Sequence, residues 1–301
     1  MSRSTARLRA LLKRKKLITI PSAYDALTAR MIEDAGFDAV YTGGFITGGS
    51  TCLSEPLLTL RDQLEVGQRL AAAVSIPLVM DAGAGWGEPM HTMRTVRECI
   101  GAGVAAIHLE DQLFPKRAHY HAYVAHNIPL NEYRDKIRFA CEQRDALDKD
   151  FVIIARSDAC RIQGYKEAIK RVNAGVREGG DMTMIFPRNH REAVNAPKDA
   201  DAPMVYVQSR GNRDGRPVYS GAELADMGYA MVIDAVLAIC VNFHFMKKVL
   251  QELKQSGDYR GMTPAECILA RQGIEEIIGL EDSYRVERAT VEKPQRKKPR
   301  G

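Results

Sequence analysis

The chain has 301 residues, 45% of them hydrophobic and 27% charged, enough for one large domain or two ordinary ones. No apolar run reaches the roughly 20 residues of a bilayer span, and there is no apolar signal core. The net charge of +5 is unevenly spread: residues 1–16 hold seven Arg or Lys and no acid (+7), and 292–301 carry +4, which leaves −6 for the body between them. A nucleic-acid enzyme carries its basic surface on the folded body, so that class is set aside and the basic ends read as solvated tails. The segment ARLRALLKRKK is also a good capping helix feeding into the first strand. Six scattered cysteines with no C-x-x-C pair read as reduced thiols of a cytoplasmic protein.

In chain order the strand candidates are residues 17–23, 37–44, 76–83, 104–111, 151–158, 182–188, 202–209 and 229–236. Amphipathic stretches such as DALTARMIEDAG and YKEAIKRVNAGVREGG separate them, each ending in Gly as helices often do. The strands are continuously apolar, as expected when both faces are covered. Eight strands with helical crossovers predict an α/β fold, a (β/α)₈ TIM-type barrel. A doubly wound sheet is the competitor, but no G-x-G-x-x-G follows the first strand. The expected division is a barrel over 1–256, a helical extension over 257–290 that packs on a neighbouring subunit, and a basic disordered tail over 291–301.

A barrel of this type places its active site at the C-terminal strand ends. Those ends offer Thr42-Gly43-Gly44, Asp81, His108 and Glu110, Arg156 and Asp158, Arg188, and Gln208 with Ser209. Asp81 and Glu110, on neighbouring strands, suit a hard divalent cation such as Mg²⁺, with Mn²⁺ as a substitute. Arg156 can clamp a carboxylate through two nitrogens, and the glycines let backbone N–H groups approach an oxyanion. The bland alternative is that strand-end Asp and Arg pair with one another and merely close the barrel mouth.

Four segments in order, SAYDALTARMIEDAGFDAVYTGG, MDAGAGWG, HLEDQLFPKR and IIARSDA, resemble the isocitrate lyase/phosphoenolpyruvate mutase superfamily over about residues 8–256. The resemblance implies a barrel whose last helix is exchanged between subunits, as a dimer of helix-swapped dimers. It implies Mg²⁺-dependent cleavage of C–C or P–C bonds in 2-oxo or 2-hydroxy acids. Carried over by position, Thr42, Gly43 and Gly44 hold the substrate's carboxylate and keto oxygen, and Asp81 ligates the metal. Glu55 and Glu110 hold the metal's waters, Arg156 binds substrate, and Lys116 and Arg117 sit on a closing loop.

Three departures fall in the site. Gly83 replaces an aspartate two residues after the metal ligand, which removes one carboxylate and is expected to weaken the metal. Ala118 stands where the lyase branch has its proton-donating cysteine, so His119, Tyr120 or His121 is left to supply the acid, or the HYH run only packs the loop. Arg188 replaces a glutamate and suggests a second anionic group on the substrate. The segment 209–217, SRGNRDGRP, is read as a solvated turn in preference to an anion contact.

The expected function is a Mg²⁺-dependent C–C lyase that acts on a small 2-hydroxy or 2-oxo dicarboxylate. It releases pyruvate or a similar keto acid through an enolate. Oxaloacetate decarboxylation and P–C bond chemistry are the nearest variants, and a barrel that binds metabolites without turnover is the rival from another class. The expected partners are a small anionic substrate and further copies of the chain, not nucleic acid or membrane.

Overall fold

The computed structural model describes residues 3–118 and 124–292. Two compact units divide the chain, Met1–Val241 and Asn242–Gly301, and each is taken by itself. The first contains eight strands: β1 (Ile18–Pro21), β2 (Val40–Thr42), β3 (Leu78–Asp81), β4 (Ala106–Glu110), β5 (Val152–Ser157), β6 (Met182–Ile185), β7 (Met204–Gln208) and β8 (Met231–Asp234). All pair in parallel in the order β1-β8-β7-β6-β5-β4-β3-β2. A bridge between Ser22 and Tyr41 brings β1 beside β2 and nearly closes the ring. The result is the expected (β/α)₈ barrel.

Strand side chains alternate between two faces, both buried along β2 to β6, with Thr19 of β1 exposed. Ile20, Val79, Ile154, Met184, Val205 and Ile233 pack in one cluster, inside the ring. The intervening residues, among them Leu78, Met80, Ile107 and Ile153, pack against Leu70 and Ile137 of the surrounding helices. Because both faces are covered, the strands read as unbroken apolar runs.

The basic N-terminus departs from the solvated tail that its charge suggests. Residues Arg3–Lys13 form a helix whose Leu8 and Leu11 are buried in the same cluster as the strand interiors. Arg9 donates to the carbonyls of Asp150 and Phe151 and pairs with Asp181 at 2.8 Å, and Thr5 bonds Asp148 at 2.9 Å. Its charges thus serve to plug the N-terminal mouth of the barrel. The basic C-terminal residues beyond 292 lie outside the described part.

Helix Leu237–Ser256 begins in the first unit and runs into the second, followed by Pro264–Ile277 and Leu280–Ala289. None of the three buries a residue, and Phe243, Phe245, Met246, Leu250, Ile268 and Leu269 are exposed. No helix among the described residues is long and apolar enough to cross a membrane.

Candidate active site

The two-residue period of the strands explains how the site is placed. Val79 points into the ring and so does Asp81; Ala106 is followed by His108 and Glu110; Ile154 is followed by Arg156. On each strand the inward face turns from apolar to ionisable at the C-terminal end. Register then sets the neighbours, Asp81 beside His108 and Glu110 beside Arg156.

Arg156 is the hub of the cluster. Its Nε and Nη2 clasp Asp158 at 2.9 and 3.0 Å, and Nη2 also meets Glu110 at 2.9 Å. Nη1 stands 3.6 Å from Asp81, and the guanidinium lies 4.8 Å from the centre of the Phe186 ring. Lys116 reaches in from the segment after β4 to bind Glu55, with Glu110 at 3.1 Å. Asp81 accepts the Gly83 N–H at 2.7 Å and lies 3.4 Å from His108 Nδ1, while His108 Nε2 meets the Tyr41 hydroxyl at 3.1 Å.

Burial and these charges set the protonation states. Burial disfavours the Asp81 carboxylate, but His108, Arg156 and Lys116 outweigh it and hold Asp81 well below the usual range. Burial pushes His108 down to about 4, so it is neutral near pH 7. Burial opposes the Lys116 charge as well, yet Glu110, Glu55 and Asp81 together keep the ammonium protonated above its ordinary range. Glu110 is pushed up by burial against the pull of Arg156 and Lys116, which makes it the carboxylate of the cluster nearest to accepting a proton.

The glycines have steric reasons. A Cβ on Gly43 would fall 2.5 Å from the Tyr41 hydroxyl, and one on Gly44 would fall 2.5 Å from Glu55 Cγ. Gly43 caps the helix Gly44–Thr51, whose first N–H groups therefore open on the site. Both glycines line the cavity. Thr42, expected to touch substrate, is not among the cavity-lining residues: it is fully buried, and its hydroxyl has no hydrogen-bonding partner among the described residues.

Arg188 reaches the cavity wall, but its guanidinium is already held by Asp214, at 2.6 Å to the carboxylate and 3.1 Å to the carbonyl. The segment 209–217 is a turn with Arg210, Gly211, Arg213 and Gly215 exposed, as expected, but it also forms part of the cavity wall. Ser209, Arg210, Asn212, Arg213, Asp214 and Arg216 all line the cavity. Gln208, by contrast, is engaged with the Tyr219 backbone at 2.6 and 2.7 Å and serves as a clip below the loop. His119 and His121, with Tyr120, lie outside the described residues. Tyr41, Phe186 and Arg216 were not singled out from the sequence; Tyr41 and Phe186 carried a signal, each standing two residues beyond an inward-facing Ala39 or Met184.

The main cavity, about 470 Å³, is lined at its inner end by Glu55, Asp81, Lys116 and Arg156. Beside it a chamber of about 40 Å³ touches Glu55, Gln63, Asp81, Gly83 and Trp86. A Cβ on Gly83 would lie 3.9 Å from Glu110 Oε1, so a side chain there would approach the carboxylates. No three His, Cys, Asp or Glu side chains among the described residues gather closely enough to enclose a cation by themselves. A buried carboxylate at Asp81, outer carboxylates at Glu55 and Glu110, and space for several waters fit a hard cation that keeps part of its hydration, as Mg²⁺ does.

Asp111, next to Glu110, holds the scaffold. It is fully buried and accepts from Ser157 Oγ at 2.6 Å, Asp158 N at 3.0 Å and Arg171 at 3.2 Å, tying the ends of β4 and β5. Asp111→Ala is expected to lower unfolding stability by about 3 kcal/mol, because Arg171 and the Asp158 N–H lose their acceptor. A urea unfolding midpoint unchanged from the parent would contradict this role.

The fold and site define a barrel enzyme built around carboxylates, and comparison with known proteins gives the family. A family model described as phosphoenolpyruvate phosphomutase matches residues 8–254. The chain is 32% identical over 288 residues to 2,3-dimethylmalate lyase of Eubacterium barkeri, covering 94% of this chain and 97% of that one. A solved structure of oxaloacetate acetylhydrolase in complex with the product oxalate superposes with a TM-score of 0.83 at 29% identity, covering 95% and 97% of the two chains. Phosphonopyruvate hydrolase in complex with oxalate and Mg²⁺ gives 0.82 at 27% identity, covering 96% and 99%. The chain belongs to the isocitrate lyase/phosphoenolpyruvate mutase superfamily.

Proposed function

We propose that the chain is a Mg²⁺-dependent C–C lyase for a small 2-hydroxy or 2-oxo dicarboxylate, releasing pyruvate or a similar keto acid. The observation that carries this reading is the meeting of Asp81, Glu55 and Glu110 with Arg156 and Lys116 at the inner end of one cavity. The likeness to 2,3-dimethylmalate lyase supports carbon chemistry, and the oxalate and Mg²⁺ of phosphonopyruvate hydrolase support the cofactor.

Asp81 would ligate the metal, and Glu55 and Glu110 would hold its waters. When bound, Mg²⁺ supplies Lewis-acid stabilisation of the substrate's oxygens. The N–H groups at Gly43 and Gly44 and the Arg156 guanidinium receive the carboxylate and the adjacent oxygen. A carboxylate of the cluster, Glu55 or Glu110, takes the 2-hydroxyl proton beside the Lys116 ammonium. The C–C electron pair passes to the departing fragment as an enolate, and His119 or His121 returns a proton to it. Lys116, bound to Glu55, covers the inner end of the cavity and helps exclude water from it.

P–C bond chemistry is the second reading, favoured by the arginines on the outer cavity wall. A panel of 2-hydroxy diacids, oxaloacetate and phosphonopyruvate, followed by keto-acid release with Mg²⁺, separates the two. Absence of keto acid from every member would sink both.

The exposed apolar side chains of the last three helices support a homo-oligomer, a dimer of helix-swapped dimers, in which another copy covers them. A monomer mass by light scattering at micromolar concentration would rule that out. The scattered free thiols agree with a cytoplasmic setting.

A further inference from the structure

The main cavity is chemically two-ended. Its inner end is the carboxylate cluster; its outer wall carries Arg161, Arg188, Arg210, Arg213 and Arg216, with Asp214 as the acid placed among them. Asp214 accepts from both Arg188 at 2.6 Å and Arg216 at 3.1 Å, so one carboxylate orients two guanidiniums and a positive charge is left over. Arg210 is drawn to Asp234 at 3.1 Å, whereas Arg213, exposed, forms no ion pair with a described residue.

The loop that presents these groups is braced. The Asn212 side chain accepts the Arg216 N–H at 3.0 Å and donates to the carbonyls of Ser209 and Arg216, and Gln208 clips the base to Tyr219. Gly211 and Gly215 adopt φ of +76° and +72°, left-handed positions that let the chain fold back with Arg213 at its tip. Phe186 joins the two ends: Arg156 lies 4.8 Å and Arg216 4.9 Å from its ring centre. The two guanidiniums are therefore no more than about 10 Å apart, a spacing that two anionic groups of one small acid can bridge.

We propose that the loop 209–216 is the specificity site for the substrate's second anionic group, with Arg213 and Arg216 as its ligands and Asp214 and Asn212 as positioning residues. This rests on the reading of the inner end as the site of bond cleavage. The group recognised is a carboxylate or a phosphonate on the carbon next to the 2-hydroxyl carbon, that is, on the fragment that departs.

A matched series tests it: lactate, malate and 2-hydroxy-3-phosphonopropanoate, which differ only at the third carbon. Their dissociation constants are measured by calorimetry with Mg²⁺ on the full chain. The parent protein is expected to bind one of the anionic members at least about ten-fold more tightly than lactate, and which one it prefers tells carboxylate from phosphonate. In Arg213→Ala/Arg216→Ala that preference should collapse to about one-fold, with oxalate, which lacks the distal group, bound as before. Arg213→Ala alone, changing an exposed side chain, should lose part of the preference without a change in fold. No preference in the parent, or a preference that survives the double substitution, overturns the assignment. Failure of oxalate alone to bind would count against the inner-end reading and leave the malate-to-lactate ratio to decide this one.

Discussion

Asp81→Ala should reduce kcat/KM by about 10³-fold or more while the protein stays folded. Asp81, like Glu55, faces both the main cavity and the side chamber, and its low pKa keeps it anionic throughout the neutral range. Three cationic or polar neighbours are arranged around that negative charge, so its removal leaves Arg156 and Lys116 in excess and takes away the proposed ligand of the metal. Losing a metal from chemistry of this kind costs several kcal/mol of transition-state stabilisation, and each 1.36 kcal/mol is ten-fold in rate. Manganese binding followed by electron spin resonance should fall in parallel. Turnover within ten-fold of the parent, or unchanged manganese binding, would remove Asp81 from the proposed role.

Arg156→Lys keeps the charge and removes the fork. One ammonium cannot hold Asp158 through two nitrogens while also touching Glu110 and facing Asp81, as the guanidinium does. The expected loss is about 10² to 10³-fold in kcat/KM, the size seen when one oriented donor is taken from a developing oxyanion. Stability should fall as well, since Glu110 is fully buried and the guanidinium contact of one of its two cations is weakened. If Arg156→Lys retains kcat and loses only thermal stability, Arg156 is a buried structural pair and not a substrate ligand.

Much of this was legible in the sequence, for an identifiable reason. Strand interiors obey a two-residue period, so a run such as Ala106, His108, Glu110 announces both its direction and the point where apolar packing gives way to chemistry. Asp81 and Arg156 stood out as polar residues closing apolar strand runs, and the missing G-x-G-x-x-G set the barrel apart from an open sheet. What stayed hidden depends on contacts between distant residues. Asp214 neutralises Arg188 from 26 positions away, and no local pattern forecasts that. The loop SRGNRDGRP reads as a turn because glycines and charges are common in turns, yet the Asn212 brace and the Gln208 clip hold it against the cavity. At the N-terminus the charge count suggested a tail, while the leucines between the arginines made a plug. The leucine spacing was the better signal, because burying Leu8 and Leu11 contributes more than a few exposed charges cost.

Oxalate resembles the enolate of a keto acid, and its binding with and without Mg²⁺ puts the central claim to the most direct test. A cation gripped by Asp81 beside Arg156 predicts that oxalate raises the melting temperature by about 5 °C at a hundred-fold excess over its Kd when Mg²⁺ is present, and leaves it unmoved after chelation. A folded protein that ignores oxalate with or without the metal, or responds equally in both, would contradict a magnesium-held oxyanion at this mouth.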